Sequence, residues 1–265
     1  MTAHAFRQLH QHGLLRLTNA WDAGSARLME SLGAPAVATT SAGLAWSQGY
    51  ADGDRLPIAR VLDAVASIAR VIRVPLSVDM EGGYSDDPAQ VAQHVLRVAE
   101  LGAVGINLED GGGQPEALCA KIEAVKRACA SAGLDVFVNA RTDVYLRGLA
   151  PEDERVAMTL QRAQRYREAG ADGLFAPGLK AREQIAAVVA GTPLPLNLLA
   201  RVGLPLAEEL QALGVRRLSA GADLAETMFG RTAALASGFL ANGDSAPLAA
   251  EAMPYDRINA LFDER

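Results

Sequence analysis

Glu100-Leu101-Gly102-Ala103 closes one pattern and opens another. Before it, residues 88–101 repeat apolar side chains at helical spacing; after it, 105–108 is a short apolar run. A glycine just past a helix end supplies the left-handed conformation that stops the helix, and a small residue after it leads into a buried strand. The phrase returns as Ser31-Leu32-Gly33-Ala34, Glu168-Ala169-Gly170-Ala171 and Ala212-Leu213-Gly214-Val215. Outward from these junctions, the pattern predicts strands over 14–19, 36–40, 76–79, 105–108, 136–140, 173–176, 194–197 and 217–220. Helices are predicted over 25–32, 58–70, 88–101, 115–132, 152–169, 181–190, 205–213 and 222–241. Strict alternation of strand and helix requires parallel strands joined by right-handed crossovers. Eight such units are the content of a (β/α)8 TIM barrel. A doubly wound open sheet is the competing arrangement, but no Gly-x-Gly-x-x-Gly follows a predicted strand and no Walker-type loop is present. The barrel is preferred. Residues 1–241 are expected to form it, and 242–265 a C-terminal helical extension of the same domain. Within that tail, 254–262 reads as a short amphipathic helix packed on the barrel or on a neighbouring subunit.

Half of the 265 residues are hydrophobic and only 5% are aromatic, which suits many small strand–helix contacts. A formal net charge of -6 leaves no basic surplus to neutralise phosphates, which argues against nucleic acid as a main partner. Cys119 and Cys129 lie ten apart in one predicted helix, too far along its axis for a disulfide. That points to a reducing compartment. Residues 1–16 carry no apolar signal core, and no run reaches the length of a membrane span, so a cytoplasmic protein free of membrane is expected.

In a parallel barrel, function sits at the C-terminal ends of the strands. The decisive end is Pro75-Leu76-Ser77-Val78-Asp79-Met80-Glu81-Gly82-Gly83-Tyr84. If the chain stays extended, Asp79 and Glu81 at i and i+2 point to one side and aim at one spot. Converging like charges are costly unless a cation lies between them. Other strands end in Thr18-Asn19-Ala20-Trp21-Asp22, Thr40-Ser41, Asn107 with Glu109 and Asp110, Asn139 with Arg141 and Asp143, Asn197, and Ser219. Acids Asp79, Glu81 and Glu109 on adjacent strands, opposite Arg141, are the composition expected for a divalent cation and an anionic substrate. Oxygen ligands without His or Cys at the rim favour Mg²⁺ or Mn²⁺ over zinc. Each residue also has a plain structural use. Asp87 before Pro88 is a helix N-cap, and Arg141 could serve only as partner to Asp143. His4, His10, His12 and His94 are expected to be solvated, and Cys119 to be packing. No Ser-His-Asp set is available for nucleophilic catalysis.

Taken in order, these residues resemble the isocitrate lyase/phosphoenolpyruvate mutase superfamily over nearly the full length. The carrying segments are Asn19-Ala20-Trp21-Asp22-Ala23-Gly24-Ser25-Ala26-Arg27, Thr40-Ser41-Ala42-Gly43-Leu44, Gly49-Tyr50-Ala51-Asp52, Val78-Asp79-Met80-Glu81-Gly82-Gly83-Tyr84, Gly105-Ile106-Asn107-Leu108-Glu109-Asp110 and Ala140-Arg141-Thr142-Asp143. The resemblance implies a barrel whose last helix is exchanged between subunits, giving a homodimer or homotetramer. It implies Mg²⁺ held by Asp79, with Glu81, Glu109 and Asp52 in contact directly or through water. The substrate carboxylate would be gripped by the backbone N–H groups of Ser41, Ala42, Gly43 and Leu44 and by Arg141, with Asn197 also in contact.

One departure bears on specificity. Isocitrate and methylisocitrate lyases carry a Lys-Lys-Cys-Gly-His segment, and the mutase a longer gating loop with a lysine. Here Asp110 is followed by the short Gly111-Gly112-Gly113-Gln114-Pro115. The resemblance therefore implies a Mg²⁺-dependent carbon–carbon lyase acting on a small 2-oxo acid or related di- or tricarboxylate through a metal-stabilised enolate. It would be oxaloacetate decarboxylase-like or isocitrate lyase-like, with water or Tyr50 as proton donor and Asp52 and Arg141 as catalytic residues. The alternatives are a silent 2-oxo-acid-binding protein and a phosphonopyruvate-type P–C bond hydrolase.

Overall fold

The computed structural model describes residues 2–263. A short helix, α1 (Ala3–Gln8), precedes the first strand. The chain continues β1 (Leu15–Ala20), α2 (Ala23–Ser31), β2 (Val37–Thr39), α3 (Ser41–Ser47), α4 (Ile58–Val71), β3 (Leu76–Asp79), α5 (Pro88–Glu100), β4 (Gly105–Glu109), α6 (Pro115–Ser131) and β5 (Phe137–Arg141). It goes on with α7 (Arg155–Glu168), β6 (Gly173–Phe175), α8 (Arg182–Gly191), β7 (Leu196–Leu199), α9 (Ala207–Ala212), β8 (Arg217–Ser219), α10 (Asp223–Asn242), α11 (Ala246–Ala250) and α12 (Tyr255–Asp263). Every strand pair is parallel, and β8 pairs back onto β1. This is the predicted closed eight-stranded (β/α)8 barrel.

The local rules read from the sequence act where expected. Gly102 and Gly170 take φ of +105° and +108° just past α5 and α7, a conformation a side chain would strain. The Asp87 carboxylate accepts from the Ala89 N–H at 2.9 Å with Pro88 in the first turn, so Asp87 is the N-cap of α5. On α4, Val61, Leu62, Val65, Ile68 and Val71 form the buried stripe that packs against the strands. Cys119 and Cys129 are both free thiols on α6. Among the described residues no helix is long and apolar enough to cross a membrane.

Three helices were not predicted. α11 is five residues long, and α3 follows directly on the end of β2. α1 is six residues, too short for a periodic signal, yet it closes the base of the barrel. Phe6 is fully buried among Leu15, Leu17, Ala36, Ala38, Val104 and Phe137. Its ring meets Phe137 edge-on at 5.5 Å, and His10 stacks on the same ring at 4.3 Å. A Cβ on Gly105 would lie 2.6 Å from the Phe6 ring, so that glycine makes room for the plug. The expectation that all four histidines are solvated therefore fails at the half-buried His94, which donates to the Gly83 carbonyl at 3.0 Å, and more fully at His10. Its Nδ1–H donates to the Phe6 carbonyl at 2.9 Å, and burial pushes its pKa down to about 3.

The other exception lies after β8. Of the twenty residues of α10 only Ala225 is buried, and Met228, Phe229, Phe239 and Leu240 are exposed. The α12 segment returns to the barrel, where Arg27 Nε donates to the Leu261 carbonyl at 2.7 Å.

Candidate active site

The C-terminal ends of the strands surround a cavity of about 240 Å³, with Asp52, Asp79, Asn107, Arg141 and Ser41 in its wall. Register explains the convergence. Asp79, Asn107 and Asn139 are cross-strand partners on β3, β4 and β5, and Glu109 is level with Arg141. Residues in one row of a parallel sheet share a face, so side chains from three strands meet at one height.

Asp79 is held at both ends. Its N–H donates to Thr39 Oγ1 at 2.8 Å, and its Oδ2 accepts from the Ser41 N–H at 3.4 Å, at the start of α3. Its Oδ1 is buried and has no hydrogen-bond partner. Glu109 pairs with Arg141 across a 2.6 Å contact. Burial raises its pKa to about 8, helped by the charges of Asp79, Asp143 and Glu81 and opposed by Arg141. Arg141 is gripped from the other side by Asp143, through Nε at 2.8 Å and Nη2 at 3.2 Å. Its guanidinium is thus fixed in a carboxylate fork and still lines the cavity.

Several sequence expectations need correction. Strand β3 stops at Asp79, and Glu81 takes φ of +50°, so the two acids are not on one extended chain. The cause is Asp54, 27 residues before Glu81. Its carboxylate accepts the N–H groups of Gly82 at 3.2 Å and Tyr84 at 3.0 Å and curls the turn. The Glu81 carboxylate in return accepts the Asp54 N–H and the Tyr84 hydroxyl, the latter at 2.9 Å. Burial raises the Glu81 pKa to about 7. Among the described residues no three His, Cys, Asp or Glu side chains form a ready metal cage.

The backbone grip is also smaller than expected. Because α3 begins at Ser41, the N–H groups of Gly43 and Leu44 are taken by Thr40, and Ser41 and Ala42 face the cavity. Asn197 is fully buried below the floor, where its Oδ1 accepts from Ser219 Oγ at 2.8 Å. Tyr50 is 38% exposed outside the cavity, while Asp52 lines it. Two charged lining residues were missed: Arg201, which pairs with Asp223, and Glu226. Arg201 sits two residues past the end of β7, a position the strand-end reading could have reached.

The short turn after β4 is anchored from below. Asp110 accepts from Arg162 at 2.6 Å, the Tyr166 hydroxyl at 2.7 Å, and the N–H groups of Gly112 and Asp143 at 3.1 Å. Burial alone would raise its pKa, but these donors hold it below the usual carboxylate range. Asp110 is therefore a structural anchor, and the turn it pins, Gly111–Gly113, brings no titratable group to the cavity.

The acids fit a cation. A buried, unpartnered Asp79 oxygen and two neighbouring acids whose charged forms are disfavoured describe a cluster short of positive charge, and its donors are all hard oxygens.

Comparison with known proteins gives the family. The phosphoenolpyruvate phosphomutase family matches residues 6–240. An uncharacterised protein of Mycobacterium tuberculosis is 39% identical over 223 residues, covering 82% of this chain and 81% of its own. The 2-methylisocitrate lyase of Salmonella typhimurium is 33% identical over 184 residues, 64% of this chain and 60% of that enzyme. Among solved structures, a candidate lyase/mutase from Burkholderia cenocepacia superposes with a TM-score of 0.88 at 36% identity, over 98% of this chain and 95% of that one. Oxaloacetate acetylhydrolase in complex with oxalate gives 0.86 at 25% identity, over 98% and 93%. With a family match spanning the whole barrel and a catalytic-end acid cluster to go with it, the chain belongs to the phosphoenolpyruvate mutase family of enzymes.

Proposed function

We propose that this protein is a Mg²⁺-dependent lyase that cleaves a carbon–carbon bond of a small 2-oxo acid, with oxaloacetate decarboxylation as the simplest case. The observation that carries the reading is the pairing at one mouth of an under-neutralised acid cluster with a guanidinium held rigid by Glu109 and Asp143. Asp79 would hold the cation, with Glu81 and Glu109 close by; Mn²⁺ suits the same oxygens. When bound, the cation supplies positive charge against the oxygen on which negative charge develops.

The chain's own residues do the rest. Arg141 pairs with the substrate carboxylate, and its two acid partners keep it aimed. The N–H group of Ala42, in the first turn of α3, is the one left to stabilise anionic oxygen in the same cavity, since that of Ser41 is given to Asp79. As the bond to the leaving carboxylate breaks, its electron pair moves into the enolate and carbon dioxide departs. A proton from water then restores the methyl group of pyruvate. Asp52 lines the cavity and orients that water, a role for which Tyr50 stands too far outside. The relative named as 2-methylisocitrate lyase supports this reaction class. The pinned Gly111–Gly113 turn gives no support to a reaction that needs a lid-borne proton donor.

We infer further that α10 packs on a second copy of the chain. A twenty-residue helix that leaves Met228, Phe229, Phe239 and Leu240 in water has its partner elsewhere. Light scattering should return a dimer or tetramer, and a monomer would sink the inference.

The deciding test of the reaction is NMR of the protein with Mg²⁺ and oxaloacetate, isocitrate, 2-methylisocitrate, a 4-hydroxy-2-oxo acid or phosphonopyruvate. Pyruvate or glyoxylate formed by wild type and not by Asp79→Ala is the expected result. Binding of 2-oxo acids with no product from any of them would favour a silent binding protein, and phosphate release a P–C hydrolase.

A further inference from the structure

Among the described residues one arginine is fully buried. Arg217 on β8 lies beneath the cavity, where no described carboxylate hydrogen-bonds to it, although the charge of Asp79 acts to raise its pKa. Its Nη2 donates to Asn107 Oδ1 at 3.2 Å, while Nε and Nη1 find no acceptor among the described residues. Burial lowers its pKa to about 9, which still leaves it protonated at neutral pH. An arginine is a donor at every nitrogen and accepts nothing. Whatever faces it must therefore be an acceptor.

That one-sided chemistry fixes the neighbour. Asn107 Oδ1 also accepts from Asn139 Nδ2 at 2.9 Å. A flipped Asn107 would set its NH₂ against the guanidinium, donor against donor. Asn139 could turn its own amide to follow such a flip, but Arg217 has nothing to turn. With Oδ1 committed twice, the amide nitrogen is what Asn107 has left for the cavity it lines. In the β-sheet register Asn107 stands directly beside Asp79.

We propose that Asn107 is a substrate-binding donor in the floor of the cavity, giving its Nδ2–H to an oxygen of the bound 2-oxo acid, and that Arg217 is the positioning residue that locks its amide in that orientation. The inference rests on the 2-oxo acid reading of the cavity. It adds a neutral donor next to the acid cluster, one that stays a donor across the pH range in which the acids titrate.

The test uses the full-length ¹⁵N-labelled protein with Mg²⁺, and oxalate and pyruvate as probes. The Asn107 side-chain NH₂ signals, identified by their loss in Asn107→Asp, should shift when oxalate is added. Asn107→Asp, nearly isosteric but without the donor, should weaken oxalate binding about 10- to 100-fold, the range for a hydrogen bond to a charged group. Arg217→Lys keeps a donor-only group and should bind oxalate within about threefold of wild type. Arg217→Gln can offer its own carbonyl to a flipped Asn107 and should lose most of what Asn107→Asp loses. Unshifted NH₂ signals, or Asn107→Asp binding like wild type, would overturn the donor role. Equal effects of Arg217→Lys and Arg217→Gln would overturn the positioning role. If the arginine variants do not fold, Asn107→Ser, which restores a hydroxyl donor, should recover part of the affinity lost in Asn107→Asp, and no recovery would count against the proposal. Wild type that binds neither probe would instead refute the 2-oxo acid reading.

Discussion

At the base of the barrel, Phe6, His10 and Phe137 stack into an apolar plug, and the charges around it are matched. Arg7 pairs with Asp135 and Asp172, and Lys126 reaches the other oxygen of Asp172 at 2.7 Å. At the mouth, Asp52 and Asp79 line one cavity, and burial disfavours the charged forms of Glu81 and Glu109 beside it. The base is built for stability, whereas the mouth keeps charges together that the fold alone does not balance. Such imbalance is expected where a ligand completes the site.

The sharpest way to break this comparison is to remove charge at the mouth. Asp79→Asn keeps the shape of the side chain and should lower kcat/KM by about a thousandfold or more. It should change Tm little, because the like-charge repulsion it relieves in the cluster offsets the attraction to Arg217 and Arg141 that it removes. Arg141→Ala should be as inactive but should also cost about 3–5 kcal/mol, since it leaves the buried Glu109 without its cation and the fully buried Asp143 with Arg147 alone. Thermal melts beside kinetics check both. A large loss of stability in Asp79→Asn would mean that the acid is structural.

The base should answer in the opposite way. Phe6→Ala empties the plug and should cost about 3–5 kcal/mol, lowering Tm by roughly 6–20 °C. Activity per folded molecule should be nearly unchanged, and a comparable fall in kcat at temperatures where the variant is folded would show that the two ends are coupled.

A pH scan refines the same contrast. His10 is neutral in the fold, with a pKa near 3 against about 6.5 when unfolded, so the unfolded chain binds more protons between those values. Its contribution is fully present above pH 6.5 and is lost as pH falls towards 3. Between pH 7 and 5, wild type should lose ~2 kcal/mol more than His10→Phe, which keeps the stack on Phe137 and cannot titrate. Denaturant melts at the two pH values give the difference directly, and parallel losses would place His10 in contact with water.

What could be read from the chain was whatever depends on near neighbours. Leu-Gly-Ala junctions marked the strand entries, and polar residues at strand ends marked the mouth, because a strand's C-terminal residue and the loop after it are local facts. The turn at Glu81 was not legible, since it is made by Asp54 hydrogen bonds to Gly82 and Tyr84 from a distant loop. Asn197 looked like any other strand-end amide, and only its pairing with Ser219 from the next strand put it below the floor. His10 followed the same rule: six residues of α1 carry no period, and its burial depends on Phe137, more than a hundred positions later. The partnerless face of α10 is as apolar in sequence as a packed helix, so composition alone did not separate it from its neighbours.

The smallest effect expected is also the one that tests the mouth without a mutation. Acids whose pKa values are raised by folding, Glu81 to about 7 and Glu109 to about 8, are protonated more readily in the folded chain than in the unfolded one. Their contribution therefore disfavours the fold as pH rises from about 4.5 through those values. A divalent cation competes with those protons and should bind more tightly at pH 8 than at pH 5.5. At tenfold over its dissociation constant, Mg²⁺ should add ~1.4 kcal/mol, or about 3–6 °C in Tm, at the higher pH and less at the lower. Chelation should reverse the gain. In Asp79→Asn the gain should vanish at both pH values, because Glu81 and Glu109 are turned towards Asp54, Tyr84 and Arg141, which leaves Asp52 as a single acid facing the cavity. His10→Phe, at the other end of the barrel, should keep the full response. A Mg²⁺ shift that survives Asp79→Asn would mean that the cation binds elsewhere, and the mouth would then need another explanation for its unbalanced charge.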